Sequence, residues 1–335
     1  FHFNIKHMYD FIAIGDIVTD AFIRLKEASV HCKLNREDCE ICMRFGDKIP
    51  YEEVYEIPAV GNCANAAVSA ARLGLKSALA TNLGKDAWGK ACLDTLKKEK
   101  VSTKFVQAHK GLKTNYHYVL WFEDDRTILV KHQAYPAHLP NIGNPKWIYL
   151  TSLGGAAEHL HDEVADYLET HPDIELAFQP GTFQMKLGVE RLKRIYARTN
   201  VFFCNKEEAE RILKSPEGAD VRELLRGIRA LGPKIVVITD GPLGAYAYAE
   251  ENMYHMPLYP DPKPPYERTG AGDAFASTFV ATLALGSSVE DALRSAPINA
   301  MSVVQYVGAR EGLLSREKIE EYLKSAPPGY APKKI

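Results

Sequence analysis

Tyr9-Asp-Phe-Ile-Ala-Ile-Gly15 is a short apolar run closed by glycine, and similar runs recur at Ser77–Thr81, Trp147–Leu150, Ile174–Phe178, Val201–Cys204 and Ile235–Thr239. Continuous apolar runs of this length suit strands buried on both faces of a parallel sheet. Segments with helical character separate them: Ala64–Leu73, stopped by Gly74, then Ala87–Lys100, Glu158–Thr170, Lys186–Ala197, Lys206–Lys214 and Glu217–Leu231. This alternation predicts an α/β fold, a doubly wound and mostly parallel sheet flanked by helices.

Two segments break the rhythm. Arg24–Pro58 is charged, polar and cysteine-bearing, and 115–132 reads as two alternating strands, Tyr116–Phe122 and Thr127–His132, around the turn Glu123-Asp124-Asp125-Arg126. Alternation implies one solvated face, unlike the core strands. The expected division is therefore an α/β core over 8–20, 59–111 and 137–325, with a small β-rich lid from 21–58 and 112–136. The first seven residues precede the periodic sequence and read as an expression leader. The tail Ala326-Pro-Pro-Gly-Tyr-Ala-Pro332 reads as extended.

The 335 residues carry 41 Lys+Arg against 43 Asp+Glu, a net charge of −2. That balance argues against nucleic-acid or membrane binding through bulk positive charge. No apolar run reaches the ~18 residues of a membrane span, and six cysteines are too few for a disulfide framework. A reducing cytoplasm is the expected location. Cys39-Glu-Ile-Cys42, with His31-Cys32 upstream, raises a metal or redox cluster, but a zinc site wants two well-separated pairs. Free thiols are the favoured reading, with Cys63, Cys92 and Cys204 in the core.

The chemistry concentrates in Thr269-Gly-Ala-Gly-Asp-Ala-Phe275, a small-residue loop running straight into an apolar helix. Gly270 and Gly272 allow close backbone approach, and free N–H groups at a helix start attract anions. A carboxylate there, Asp273, suits a base for a hydroxyl attacking a phosphoryl group. Taken alone, the same four residues also fit a helix start with Asp as its cap. Asp20 follows the first strand, where open α/β sheets bind ligands, though a turn-capping role fits too. Neither a Walker loop, a protein-kinase motif set nor a dinucleotide Gly-x-Gly-x-x-Gly after the first strand is present.

In combination, Glu267-Arg-Thr-Gly-Ala-Gly-Asp-Ala-Phe275, Val60-Gly-Asn-Cys-Ala-Asn65 leading to Leu73-Gly74, Thr81–Gly89, Asn205-Lys-Glu-Glu208, Thr239-Asp-Gly-Pro-Leu-Gly-Ala245 and Asn299–Ala309 resemble, in order, the motifs of the ribokinase-like (PfkB) carbohydrate kinase family. The resemblance spans Phe11 to Ala309. It implies ATP-dependent phosphorylation of an alcohol on a small sugar-like molecule. Asp273 would be the catalytic base, and Gly270, Ala271 and Gly272 the backbone anion hole. Asp20, Gly61, Asn62 and Asn65 would contact the acceptor. The nucleotide side would comprise Asn205, Glu208, Thr239, Gly241, Gly244 and Asn299, with Glu208 serving Mg²⁺ through water.

Three positions depart from the family pattern. Glu267 and Arg268 replace an Asp-Thr pair that helps bind a monovalent cation, so K⁺ dependence is expected to be weak. Val60 replaces a glycine beside the acceptor pocket. The acceptor is expected to be a sugar. A nucleoside is the alternative, raised by the aromatics Phe45, Tyr51, Tyr55, Tyr116, Tyr118, Trp121 and Tyr135, and an inactive ligand-binding regulator is a second. The resemblance further implies a homodimer built through the lid, against a monomer whose insertion Arg24–Tyr51 folds back on itself.

Overall fold

The computed structural model describes residues 8–32, 39–123 and 125–335. The expected leader at 1–7 and Asp124 of the expected turn lie outside them. Among the described residues the main sheet has ten strands. Seven run parallel, in the spatial order Ile235–Thr239, Val201–Asn205, Glu175–Phe178, Trp147–Leu150, Phe11–Ile14, Ser77–Gly84 and Ser102–His109. Ala245–Ala249, Asn252–Met256 and Lys333–Lys334 extend one edge antiparallel. The proline-bearing tail thus ends in a short strand pairing with Tyr254 and His255.

Side-chain alternation divides the core into two layers. From the strand Phe11–Ile14, Phe11 and Ala13 enter one cluster with Tyr149, Val237 and Phe279. Ile12 and Ile14 enter the other with Ile148, Leu150 and Val236. All four residues of the strand are buried, which is why the sequence reads as unbroken apolar rather than alternating.

A second sheet has the order Tyr51–Val60, Val18–Leu25, Tyr116–Phe122, Asp125–Leu129. Its middle pair is parallel and its outer pairs antiparallel. The expected second hairpin strand, Thr127–His132, instead covers Asp125–Leu129, and 130–146 has no helix or strand. Asp20 follows the first strand but caps no turn: it lies within the strand Val18–Leu25, so the expected core–lid boundary at 20 falls inside a strand of this sheet. The expected single helix Lys186–Ala197 is two helices, Thr182–Leu187 and Val189–Arg198, because Gly188 turns to φ 82° between them. Ser29–His31 and Glu40–Cys42 pair as a small ribbon. Beside it Cys32 and Cys39 are disulfide-bonded, which corrects the free-thiol reading for these two; Cys42, Cys63, Cys92 and Cys204 are free. Among the described residues no helix is long and apolar enough to cross a membrane.

Candidate active site

The helix Ala271–Ala284 begins at Gly270, whose φ of 85° lies in the left-handed region. A Cβ there would meet Cβ of Ala309 at 2.3 Å, so only glycine fits this turn. Gly272 differs. A Cβ on it would meet only the Gln179 amide, at 4.0 Å, so the helix start opens into free space. Asp273 follows on the first turn, buried, with its carboxylate held by three side-chain amides. Asn62 donates to Oδ1 at 2.9 Å, Asn65 to Oδ2 at 2.8 Å and Gln179 to Oδ1 at 3.3 Å. Burial pushes the Asp273 carboxyl above the usual carboxylate range, and the three amides oppose that rise.

The helix Asn62–Arg72 supplies two of those amides. It starts after Gly61, at φ 96°, where a Cβ would sit 2.8 Å from the Asp16 carbonyl oxygen. Gln179 comes from the end of the strand Glu175–Phe178 and accepts from the Tyr149 hydroxyl. Its place at a strand's C-terminal end was the signal that could have found it.

A cavity of about 550 Å³ opens beside Asp273. Its walls include Asn62, Asn205, Glu208, Thr239, Gly241, Gly270 and Gly272 from the expected set, together with Gln179, Arg126 and Arg268. Asn205 and Glu208 form a reciprocal cap on the helix Lys206–Leu213. Asn205 Oδ1 accepts from the Glu208 N–H at 2.7 Å, and Glu208 Oε2 from the Asn205 N–H at 2.9 Å. Burial raises the Glu208 carboxyl as well.

Other expected residues stand apart from this cavity. Asn299 is fully buried, donates to Thr278 Oγ1 at 2.7 Å and accepts from the Leu314 N–H at 2.9 Å. Both ends of its amide are spent joining two helices and a loop, which argues for a structural role. Gly244 is off the wall too: at φ 91°, a Cβ would meet the Met256 carbonyl oxygen at 2.3 Å. Ala271 lies between the two glycines as the first residue of the helix.

Asp20 faces His117, whose Nδ1 lies 3.5 Å from Oδ1. The His117 ring in turn packs edge-on against His132 at 5.7 Å. His132 sits 3.3 Å from Asp16 Oδ2, and the hydrogen bond to Asp16 raises its pKa. Asp16 Oδ2 also accepts from the Gly154 N–H at 2.6 Å. Nothing in the local sequence marked these two histidines; the pairing of Asp20 with His117 across the small sheet brings one of them in.

Glu267 is buried, with Oε1 accepting from the Thr269 N–H at 2.8 Å and the Thr269 hydroxyl at 2.5 Å, and Oε2 from the Gly308 N–H at 3.2 Å. The Arg126 guanidinium reaches it from the small sheet, 3.7 Å from Oε1. Arg268 is exposed at the cavity rim.

The sequence pattern of the pfkB family carbohydrate kinases matches residues 27–316. The chain belongs to this family. The ribokinase of Bacillus subtilis is 30% identical over 271 residues, covering 78% of this chain and 87% of that protein. An ATP-dependent 6-phosphofructokinase of Thermoanaerobacterium thermosaccharolyticum is 25% identical over 333 residues, 92% of this chain and 94% of its own. Among solved structures, Arabidopsis thaliana ribokinase complexed with ribose and ATP superposes with a TM-score of 0.80 at 20% identity, covering 94% of this chain and 99% of that one. The PfkB chain described here is accordingly a kinase, a phosphotransferase acting on a hydroxyl group.

Proposed function

We propose that this kinase transfers the γ-phosphate of ATP to a hydroxyl of a small sugar, with Asp273 taking the hydroxyl proton. The observation that carries this reading is the placement of Asp273. Its carboxylate meets Asn62 and Asn65 on one side and the open helix start at Gly270–Gly272 on the other. A buried, amide-held carboxylate is oriented without reorganisation, and its raised pKa makes it a better proton acceptor. The backbone N–H groups from Ala271 onward face charge developing on the transferred group, strengthened by the helix dipole.

The cavity walls at Asn205–Glu208, Thr239, Gly241 and Arg268 would hold the nucleotide. Glu208 is a hard oxygen donor whose burial leaves its charge in need of a cation, which fits Mg²⁺ held largely through water. When bound, Mg²⁺ supplies charge neutralisation at the phosphates. Asp20, with Gly61, Asn62 and Asn65, would grip the acceptor, with His117 Nδ1 3.5 Å from Asp20 Oδ1.

A sugar is favoured over a nucleoside by where the aromatics point. Tyr116 packs against Trp88 at 5.0 Å and Tyr118 at 5.2 Å. Strand alternation sets Tyr116 and Tyr118 on the face opposite His117. Trp121, by the same alternation on the His117 face rather than the outer one, is buried edge-on against Tyr266, and Tyr135 stacks on His109. That outer face of the small sheet also exposes Val54, Tyr118 and Leu129, which supports association into a homodimer there. Light scattering tests it: a mass near 37.4 kDa at every concentration would refute the dimer.

An ADP-release screen over sugars and nucleosides with ATP and Mg²⁺ tests the acceptor. Turnover with a sugar is expected; turnover confined to nucleosides overturns that assignment.

A further inference from the structure

We propose that His138, His159 and Glu163 form a binding site for a divalent cation of the zinc type, such as Zn²⁺, Co²⁺ or Ni²⁺, separate from the catalytic cavity. Each offers one donor atom, and these atoms lie within 4.8 Å of one another. Glu163 Oε1 is 2.9 Å from His138 Nδ1 and 3.9 Å from His159 Nε2. A tetrahedral zinc with bonds near 2.0–2.1 Å needs donors about 3.4 Å apart. The two separations to Glu163 bracket that value and all three donor atoms lie within 4.8 Å, so closing the site draws the two imidazoles together by at most about 1.4 Å.

The frame around the three side chains is already set. His159 and Glu163 stand four residues apart at the start of the helix Leu160–Thr170, on one face. His138 comes from the irregular segment 130–146, and its peptide is tied on both sides. Its carbonyl accepts from Gln107 Nε2 at 2.9 Å, and the next N–H, of Leu139, donates to Glu163 Oε2 at 2.7 Å. That second bond orients the carboxylate and leaves Oε1 toward the histidines, as outer partners of metal ligands do. The cost is the contact of His159 Nε2 with the Ala137 carbonyl oxygen, at 2.5 Å, which binding gives up.

Two imidazoles and one carboxylate select against Mg²⁺, which prefers oxygen donors. The side chains of His138 and His159 are 73% and 46% exposed, so an ion enters directly from solvent. None of the three lines the cavity beside Asp273. The inference therefore stands independently of the proposed acceptor.

The segment a bound ion would pin connects both sheets. Between the small sheet and His138 it carries Gln133, whose N–H donates to Asn115 Oδ1 at 2.7 Å, and Tyr135, whose hydroxyl donates to the Lys113 carbonyl oxygen at 2.6 Å. It also carries His132, beside Asp16.

Co²⁺ titration of the nucleotide-free protein, read by visible ligand-field absorption, tests the site. One equivalent is expected to give a band that Zn²⁺ abolishes by displacement. His138→Ala and Glu163→Gln are each expected to weaken binding at least ~10-fold, while His255→Ala, at a distant strand, leaves it unchanged. Circular dichroism without metal checks that each variant is folded. No band in the wild-type protein overturns the proposal, and so does a band that survives both His138→Ala and Glu163→Gln.

Discussion

Asn65 and Asp273 are 208 residues apart in the chain, yet the amide of the first donates to Oδ2 of the second at 2.8 Å. Each sits on the opening turn of its own helix, Asn62–Arg72 and Ala271–Ala284. The contact joins the residue proposed to take the proton to a residue proposed to place the acceptor. Asp273→Asn is expected to lower kcat by ~10²–10⁴-fold with the fold retained. Steady-state kinetics beside a circular dichroism spectrum check it. Wild-type kcat in that variant would remove Asp273 from the mechanism.

Activity should rise with pH along a limb that reports Asp273. A base works deprotonated, and burial holds this carboxyl above its ordinary value of 3.8. The acid limb of kcat/KM therefore has its midpoint above that of an exposed aspartate. Asn65→Leu removes one amide that favours the charged form, so the limb is expected to move to still higher pH. A limb unchanged by Asn65→Leu would mean that another group sets it.

Asn299→Leu is expected to cost stability rather than nucleotide affinity. It leaves the Leu314 N–H and the Thr278 hydroxyl without a buried partner, a loss of about 1–3 kcal/mol. Thermal unfolding should show the loss while KM for ATP holds. A raised KM with unchanged melting would put Asn299 at the nucleotide after all.

Rates in K⁺, Na⁺ and a bulky ammonium buffer should agree closely. Glu267 already spends its oxygens on Thr269 and Gly308 and has the Arg126 guanidinium beside it. A resident positive charge leaves little electrostatic demand for a second cation. A strong K⁺-specific activation would contradict this.

Alkylation should distinguish the cysteines. Among the four free ones, Cys42 is half-buried and the other three are buried. One rapid modification is expected on the native protein and three after mild reduction, read by intact mass. Three without reductant would show Cys32 and Cys39 unpaired.

The parallel strands were legible because strands covered on both faces leave unbroken apolar runs. The strand Ala245–Ala249, antiparallel between Ile235–Thr239 and Asn252–Met256, reads Ala-Tyr-Ala-Tyr-Ala, with its alanines buried and its tyrosines half-buried. So weak a hydrophobic contrast gave no strand signal. Gly188 splits a helix whose periodicity continues across it, and periodicity alone does not register a positive φ. At the site, Asp273 and its glycines announced themselves through a local motif. Arg126 did not, because only the register of the hairpin, which sets it opposite Trp121, carries it toward Glu267. His117 was hidden for the same reason: it becomes relevant through Asp20, its partner across the small sheet.

Asp20 belongs to the small sheet, and Asp273 opens a helix packed on the large one. The acid proposed to recognise the acceptor and the base proposed to activate it thus stand on separate frameworks. Substitutions along Val18–Leu25, Tyr51–Val60 and Tyr116–Phe122 can recut the acceptor pocket while the phosphate cradle stays as it is. Such a chain can change its preferred sugar one side chain at a time, keeping the same donor chemistry throughout.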